Sequence, residues 1–221
     1  TRRAFYMQLD VRNFFNTIDK EILWKMVSSE LEEGPLSWLA HTVIFRDCTS
    51  NYVLKGGKSL QRRIPPHKSL FAGSPAKGLP VGNLSSQFFA NVYLDGLDQF
   101  VKHGLKCRFY VRYADDMVFL SNDKDRLAAW KNEISGFLAG QLRLLLRKDC
   151  KIASVDSGVD FLGYITRWNY ILARRRVVNN FKRKLAEAQS RRPVAIEKLA
   201  QTASSYFGHF KWANCHRLSE A

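Results

Sequence analysis

Two adjacent acids, Asp115 and Asp116, lie between β-prone runs, and a third acid, Asp10, stands 105 residues earlier near the end of another such run. Phe109, Tyr110, Val111 and Tyr113 suit a strand on one side, and Val118, Phe119 and Leu120 suit one on the other. Ala114-Asp115-Asp116 between them predicts a hairpin turn, where a short acidic side chain can bond the local backbone. Two carboxylates at one tip repel each other unless a cation sits between them. An all-oxygen site of this kind suits Mg²⁺, which takes one or two carboxylates and completes its shell with water and phosphate. If the Asp10 strand neighbours the hairpin, three carboxylates converge at one sheet end. Three carboxylates can hold two divalent ions ~3.5–4 Å apart, the arrangement for phosphoryl transfer. One ion would activate an attacking 3′-hydroxyl, and the other would neutralise the triphosphate and the leaving pyrophosphate. The plain alternative for an isolated Asp-Asp pair is a solvated hairpin tip.

The elements that would carry these acids are legible from periodicity. Residues 4–11 read as a buried strand with Asp10 near its end, followed by the turn Arg12-Asn13-Phe14-Phe15-Asn16. A helix is predicted from Thr17 or Asp19, with Thr17 as a fair N-cap and Ile18, Ile22, Leu23, Met26, Val27 and Leu31 as its apolar stripe. Gly34-Pro35 stops it, and a second helix carries Leu36, Leu39, Val43 and Ile44. Residues 51–64 suggest a hairpin around Gly56-Gly57. The glycine-bracketed turn Gly78-Leu79-Pro80-Val81-Gly82-Asn83 opens a helix over 85–103, with Phe88, Val92, Leu97, Phe100 and Val101 on one side. After the acidic hairpin come a helix over 124–141 capped by Asn122 or Asp123, and a strand over 151–155. Phe161 to Ile165 and Tyr170 to Leu172 then form a hairpin around Trp168-Asn169. Helices over 175–190 and 194–212, split by Arg191-Arg192-Pro193, end the chain. Interleaved strands and helices with mostly antiparallel pairing, followed by a helical tail, predict an α+β palm-like body with a helical module.

Charge points to the partner. The chain has 221 residues, enough to bury a core, and 35 Lys and Arg against 20 acids give a net charge of +15. Such a balance implies a polyanion, most simply nucleic acid. No acid occurs from Cys48 to Leu94, where Lys55, Lys58, Arg62, Arg63, Lys68 and Lys77 lie, and Glu187 is the only acid from Arg174 to Arg192. The four cysteines, Cys48, Cys107, Cys150 and Cys215, form no CxxC and read as reduced thiols of a cytoplasmic protein, not as a zinc site. No apolar run approaches the ~20 residues of a membrane span, so no membrane partner is expected. The chain opens at Thr1 within a β-like run, which suggests a preceding segment.

Taken in order, these motifs resemble those of reverse transcriptases. Phe5-Tyr6-Met7-Gln8-Leu9-Asp10-Val11-Arg12-Asn13-Phe14-Phe15 resembles the first catalytic motif, and Tyr113-Ala114-Asp115-Asp116 the YxDD box. The Gly78 to Gln87 stretch lies between them as in the family, and Phe161-Leu162-Gly163-Tyr164 resembles the primer-grip hairpin. The resemblance implies a right-hand polymerase: palm at 1–17, the remainder of the fingers at 18–82, palm again at 83–172 and a helical thumb at 173–221. It implies Asp10, Asp115 and Asp116 as metal-binding acids, with the backbone carbonyl of Val11 as a further ligand to two Mg²⁺ ions, Mn²⁺ serving as a substitute. Arg12, Asn13, Phe14 and Phe15 would wrap the triphosphate, and the Phe15 ring would exclude a ribose 2′-hydroxyl. Pro80, Val81 and Gly82 would line the nucleotide. Tyr113 would touch the primer end, Lys148 or Lys151 would serve as general acid, and Phe161, Leu162, Gly163 and Tyr164 would hold the primer. Arg174, Arg175, Arg176, Lys182, Arg183 and Lys184 would face an RNA–DNA hybrid, which is recognised by shape and phosphates.

Within the family, the Gly78 to Leu94 stretch is most similar to diversity-generating retroelement reverse transcriptases, as are Lys68-Ser69-Leu70-Phe71 and Ser205 to Phe210. Many relatives carry a glutamine where Val81 stands, and valine offers only an apolar contact. Losing a hydrogen-bonding side chain weakens geometric checking of the nascent pair. The resemblance thus implies copying of a template RNA from dNTPs with errors opposite adenine, alongside a small basic accessory protein. Group II intron, retron and defence-associated enzymes are the neighbouring reading. A non-catalytic RNA-binding protein on the same scaffold is the reading from another class. The family's fingers elements before the first catalytic motif are not among these 221 residues, so the chain is expected to be a fragment of a longer protein.

Overall fold

The computed structural model describes residues 4–53, 55, 63–190 and 196–214. Strand β1 (Phe5–Asp10) is interior to the larger sheet, where Tyr6, Met7 and Leu9 are buried. The sheet order is β2-β3-β1-β4, with β2 at Tyr110–Tyr113, β3 at Asp116–Ser121 and β4 at Lys151–Ser154. The chain forms two compact units, one of Met7–Ile152 and one joining Thr1–Tyr6 to Ala153–Ala221.

In the first unit, helices α1 (Phe14–Thr17), α2 (Lys20–Ser28), α3 (Pro35–Phe45), α4 (Leu84–Gln99) and α5 (Lys124–Leu142) accompany the sheet. Helix α2 is capped by Asp19, not Thr17. The Asp19 carboxylate accepts from the N–H groups of Glu21 and Ile22 at 3.1 and 3.3 Å. Thr17 is occupied at the end of α1, its hydroxyl donating to the carbonyls of Asn13 and Phe14. Helix α2 ends at Ser28, short of the Leu31 expected in its stripe, and buries Leu23 and Val27. Asp123 caps α5 as one of the two expected residues.

Over its first half helix α4 buries a face one residue on from the expected one, whereas Leu97 is buried as expected, as is Val101 in the helical turn Phe100–Gly104 that follows. Phe89, Tyr93, Leu94, Leu97 and Val101 are buried, whereas Phe88 is 62 % exposed. Tyr93 anchors that face. Its buried hydroxyl accepts from the Asp19 N–H at 3.3 Å and donates to the Leu142 carbonyl at 2.7 Å, tying together α2, α4 and α5. Burial pushes that phenol up to about 12, so it remains a donor. On the opposite side Phe88 joins Leu36, Leu39, Val43 and Leu84 along an open apolar groove of about 930 Å³. The second helix therefore shows much of its predicted stripe to solvent. The hairpin expected around Gly56-Gly57 lies outside the described residues, as do Arg191-Arg192-Pro193 and Cys215.

The second unit holds the antiparallel sheet β5 (Val159–Phe161), β6 (Tyr164–Thr166) and β7 (Ile171–Ala173), and helices α6 (Arg175–Ser190) and α7 (Ile196–Phe210). The stretch from Phe161 to Ile165 is not one strand. Leu162 and Gly163 have φ of 53° and 87° and form a tight turn that pairs Phe161 with Tyr164. Positive φ at both central residues matches the twist of the flanking strands. The second turn falls around Trp168-Asn169 as expected, with the Arg167 N–H donating to the Tyr170 carbonyl at 2.9 Å. Helices α6 and α7 meet through Phe181, whose ring contacts Tyr206, Phe207 and Phe210. Tyr206, Phe207 and Phe210 of the Ser205 to Phe210 motif thus face the neighbouring helix. Among the described residues no helix is long and apolar enough to cross a membrane.

Gly163 is tightly enclosed. A Cβ there would lie 3.1 Å from Cε1 of His209, which stacks on Tyr164 at 4.2 Å between ring centres. Left-handed backbone with a Cβ costs roughly 1–2 kcal/mol before any clash. We expect Gly163→Ala to lower the stability of the unit that carries it by about 2 kcal/mol. Chemical denaturation followed by an unfolding probe in that unit checks it, and an unchanged midpoint contradicts the strain.

Candidate active site

Asp10 ends β1, and Asp116 begins the adjacent strand β3, so both acids arrive at the same end of the sheet. The hairpin register pairs Tyr113 with Asp116, leaving Ala114 and Asp115 as a two-residue turn. Asp116 is therefore the first residue of the strand and not part of the turn. Ala114 takes φ of 51°, a conformation that a β-carbon disfavours. Asp115 lies near enough to Asp10 and Asp116 for both acids to act on its carboxyl. Burial first, and then the charges of Asp10 and Asp116, push the Asp115 carboxyl up to about 6.

Arg112 underpins the turn. Its Nε and Nη2 engage the carboxylate of Asp98 on α4, and its Nη1 donates to Oδ1 of Asn91 at 3.0 Å and to the Ala114 carbonyl at 3.1 Å. The Tyr110 hydroxyl donates to the same Asp98 at 2.8 Å. Burial and the Asp98 charge hold that phenol well above its ordinary value. The strained turn is thus fastened from below by a guanidinium whose side chain is only 10 % exposed.

A second cation meets the acids directly. Arg147 Nη1 lies 2.9 Å from Asp10 Oδ2, while its Nε and Nη2 grip both oxygens of Asp149 at 3.0 and 2.7 Å. That grip holds the Asp149 carboxyl below the usual carboxylate range. The Arg147 N–H also donates to the Asp10 carbonyl at 2.9 Å. Sequence reasoning missed Arg147, because it is one of several basic residues around 143–151. The Arg147-x-Asp149 spacing was the available signal. Lys148 and Lys151, the expected general acids, are exposed.

The stretches 11–15 and 78–82 lie beside one another. Val11 is buried beside Leu146, and the Arg12 N–H donates to the Leu145 carbonyl. Asn13 adopts φ of 50°, which Asn tolerates better than most residues. Phe14 is buried in the core, whereas Phe15 is half-buried. The Leu79 N–H donates to the Phe15 carbonyl at 2.8 Å, placing the Pro80-Val81-Gly82 loop beside it. Gly78 permits that approach. It has φ of 89°, and a Cβ on it would lie 2.6 Å from the Leu70 side chain. Val81 is 73 % exposed and Tyr113 64 %.

Phe161, Leu162, Gly163, Tyr164, Arg174, Arg175 and Lys182 all belong to the second unit. Its cations are not all turned to a ligand. Arg174 pairs with Asp160 at 2.7 Å, Arg183 with Glu187 at 3.0 Å, and Lys184 lies over the Tyr206 ring. Arg175, Arg176 and Lys182 are exposed.

The donor set fits a hard divalent cation. Asp10, Asp115 and Asp116 offer only oxygen, their mutual repulsion raises Asp115, and a guanidinium already stands at Asp10. Among the described residues, no three Asp, Glu, His or Cys side chains are gathered tightly enough to enclose an ion unaided. Of the expected three-carboxylate convergence, the structure shows Asp10 and Asp116 both acting on Asp115 without a tight three-acid cluster among the described residues.

An antiparallel sheet with acids gathered at one end and helices around it defines a polymerase-type fold of the α+β class, as expected. The chain belongs to the reverse transcriptase (RNA-dependent DNA polymerase) family, whose sequence pattern matches residues 1–166. Members of this family are nucleotidyltransferases and generally use divalent metal ions. The fold is similar to telomerase from Candida tropicalis, solved in complex with the TWJ fragment of telomeric RNA. That likeness has a TM-score of 0.52 at 10 % identity and covers 94 % of this chain and 38 % of that one. Telomerase from Candida albicans, in complex with the same kind of fragment, gives 0.50 at 12 % identity over 95 % and 40 %. The chain therefore spans about two fifths of the length of those telomerases. No curated protein sequence matches it.

Proposed function

We propose that this chain carries the catalytic centre of an RNA-directed DNA polymerase that extends a primer on a template RNA with dNTPs. The observation that supports the reading most is the meeting of Asp10 with Asp115, next to Asp116, at the end of β1 and β3. In this reading residues 1–17 and 83–172 are palm, 18–82 the remainder of the fingers and 173–221 the thumb. Asp10, Asp115 and Asp116, with the Val11 carbonyl, would hold two Mg²⁺ ions. The bound ions supply Lewis-acid activation of the 3′-hydroxyl and charge neutralisation at the phosphates. Arg12 to Phe15 orient the triphosphate, and the Phe15 ring excludes a 2′-hydroxyl. Tyr113 supports the primer end, as do Phe161 to Tyr164 in their own unit. Lys148 donates the proton to the leaving pyrophosphate. Arg175 and Lys182 contact the backbone of the RNA–DNA hybrid, whose charge matches the net +15 of the chain.

Within that class we read the enzyme as one of the diversity-generating retroelement type, error-prone opposite template adenine. Val81 supports this, as an exposed apolar side chain on the loop fastened to Phe15 through Leu79. A structured template RNA and a small basic accessory protein would be its partners. Primer extension by the full chain on an adenine-containing RNA template, with Mg²⁺ and dNTPs and sequencing of the products, tests both levels. Extension with misincorporation concentrated opposite adenine is expected. Accurate extension keeps the polymerase and removes the error-prone subtype. No extension, with template RNA and accessory protein supplied, removes the polymerase.

A further inference from the structure

Arg147 is anchored to the site at both ends. Its main chain donates to the Asp10 carbonyl, and its guanidinium reaches the Asp10 carboxylate at 2.9 Å. The remaining two arms of the fork are spent on Asp149, in the bidentate geometry that fixes an arginine most firmly. Asp149 is 67 % exposed at its side chain, and both of its carboxylate oxygens accept from the arginine. From the metal-binding reading of Asp10 above, on which this inference rests, a conflict follows. A divalent ion and a guanidinium cannot both take the same carboxylate oxygen without repelling each other.

We propose that Arg147, steadied by Asp149, is the resident counter-cation of the catalytic carboxylates. It holds Asp10 in place before a metal arrives and competes with the divalent ion for Asp10 Oδ2. Arg147 is thus a positioning residue that sets how much metal the site requires. With an ion bound, the guanidinium would keep its hold on Asp149 and Asp10 would be released to the ion. Two opposite effects on one carboxylate are expected. Without metal, Arg147 offsets the repulsion among Asp10, Asp115 and Asp116. With metal, its positive charge weakens the ion's hold.

The test uses the full chain and Mn²⁺ alone as the probe, with free Mn²⁺ followed by electron paramagnetic resonance and no nucleotide present. Arg147→Met is expected to tighten Mn²⁺ binding about three- to tenfold, the effect of removing one unit charge beside a partly exposed ion. Asp149→Asn is expected to weaken it, because the arginine then has only Asp10 to hold. In Arg147→Met on an Asp10→Asn background the gain is expected to vanish. Thermal melting gives an independent readout. Arg147→Met is expected to melt below the parent chain in EDTA, with the gap closing as Mg²⁺ is added. Equal or weaker Mn²⁺ binding in Arg147→Met, while Asp115→Ala still abolishes binding, overturns the role of Arg147 alone. Mn²⁺ binding that does not depend on Asp115 overturns the metal site and this inference together.

Discussion

Asp115→Asn abolishes primer extension, by about 10³-fold or more, and at the same time stabilises the metal-free chain at neutral pH. The expected loss follows from the proposed role of Asp115 as a charged metal ligand, since a metal-held reaction centre would supply several kcal/mol of transition-state stabilisation and each 1.36 kcal/mol is tenfold in rate. The gain in stability follows from the electrostatics. Asp115 titrates near 3.8 when unfolded and at about 6 when folded, because burial and then its acidic neighbours disfavour the charge. An acid raised in this way costs nothing below pH 3.8, where both states are protonated. Its cost grows between pH 3.8 and 6 and is complete above that window. Screening at this partly exposed group reduces the effect to about 1–2 kcal/mol. Melting of the two chains in EDTA at pH 7 and at pH 3.5 checks the sign: the asparagine chain melts higher at the first and equally at the second. Equal melting at pH 7 removes the argument from repulsion. Full extension by Asp115→Asn removes the catalytic assignment.

The second large effect belongs to Arg112, whose guanidinium is engaged with Asp98, Asn91 and the Ala114 carbonyl. Arg112→Met leaves the Asp98 carboxylate, only 19 % exposed, without its guanidinium, and leaves the Ala114 carbonyl without its donor. Breaking a buried pair from one side costs about 3–5 kcal/mol, because a charge stays buried and uncompensated. The same guanidinium fastens the turn that presents Asp115, so extension falls along with stability. Arg112→Lys separates the two contributions. Its ammonium retains a charge for Asp98 but lacks the fork that reaches Asp98, Asn91 and Ala114 together. The lysine chain is expected to recover most of the stability and little of the rate at saturating substrate. Denaturant unfolding and kcat measured side by side check it. A lysine chain with the parent's rate would show that Arg112 acts only through stability.

Much of the site was legible without coordinates because its parts are local. Asp115 and Asp116 are adjacent, Phe15 follows Asp10 by five residues, and Gly78 to Gly82 announce a backbone turn by their residue types. A strand run ending in an acid and a hairpin carrying two acids are patterns of period two that neighbouring strands either use or do not. Their sheet adjacency was conditional, and the β3-β1 neighbourhood supplied it. The α+β class followed from the same alternation of runs.

What sequence alone determined is therefore the chemistry that the chain has at hand: three carboxylates, a basic surface, and the order of the family's motifs. Only the tertiary structure decided which cations attend those carboxylates. Arg112, Arg143 and Arg147 look alike among the basic residues of the sequence, yet one is sunk against Asp98, one holds the capping Asp19, and one meets Asp10. Long side chains choose partners by what lies within reach after folding, and Arg143 and Asp19 are 124 residues apart. The face of α4 was decided the same way. Helical periodicity placed Phe88 on the inward side, but Phe89 is the ring that is buried, on the face whose Tyr93 hydroxyl is satisfied by Asp19 and Leu142.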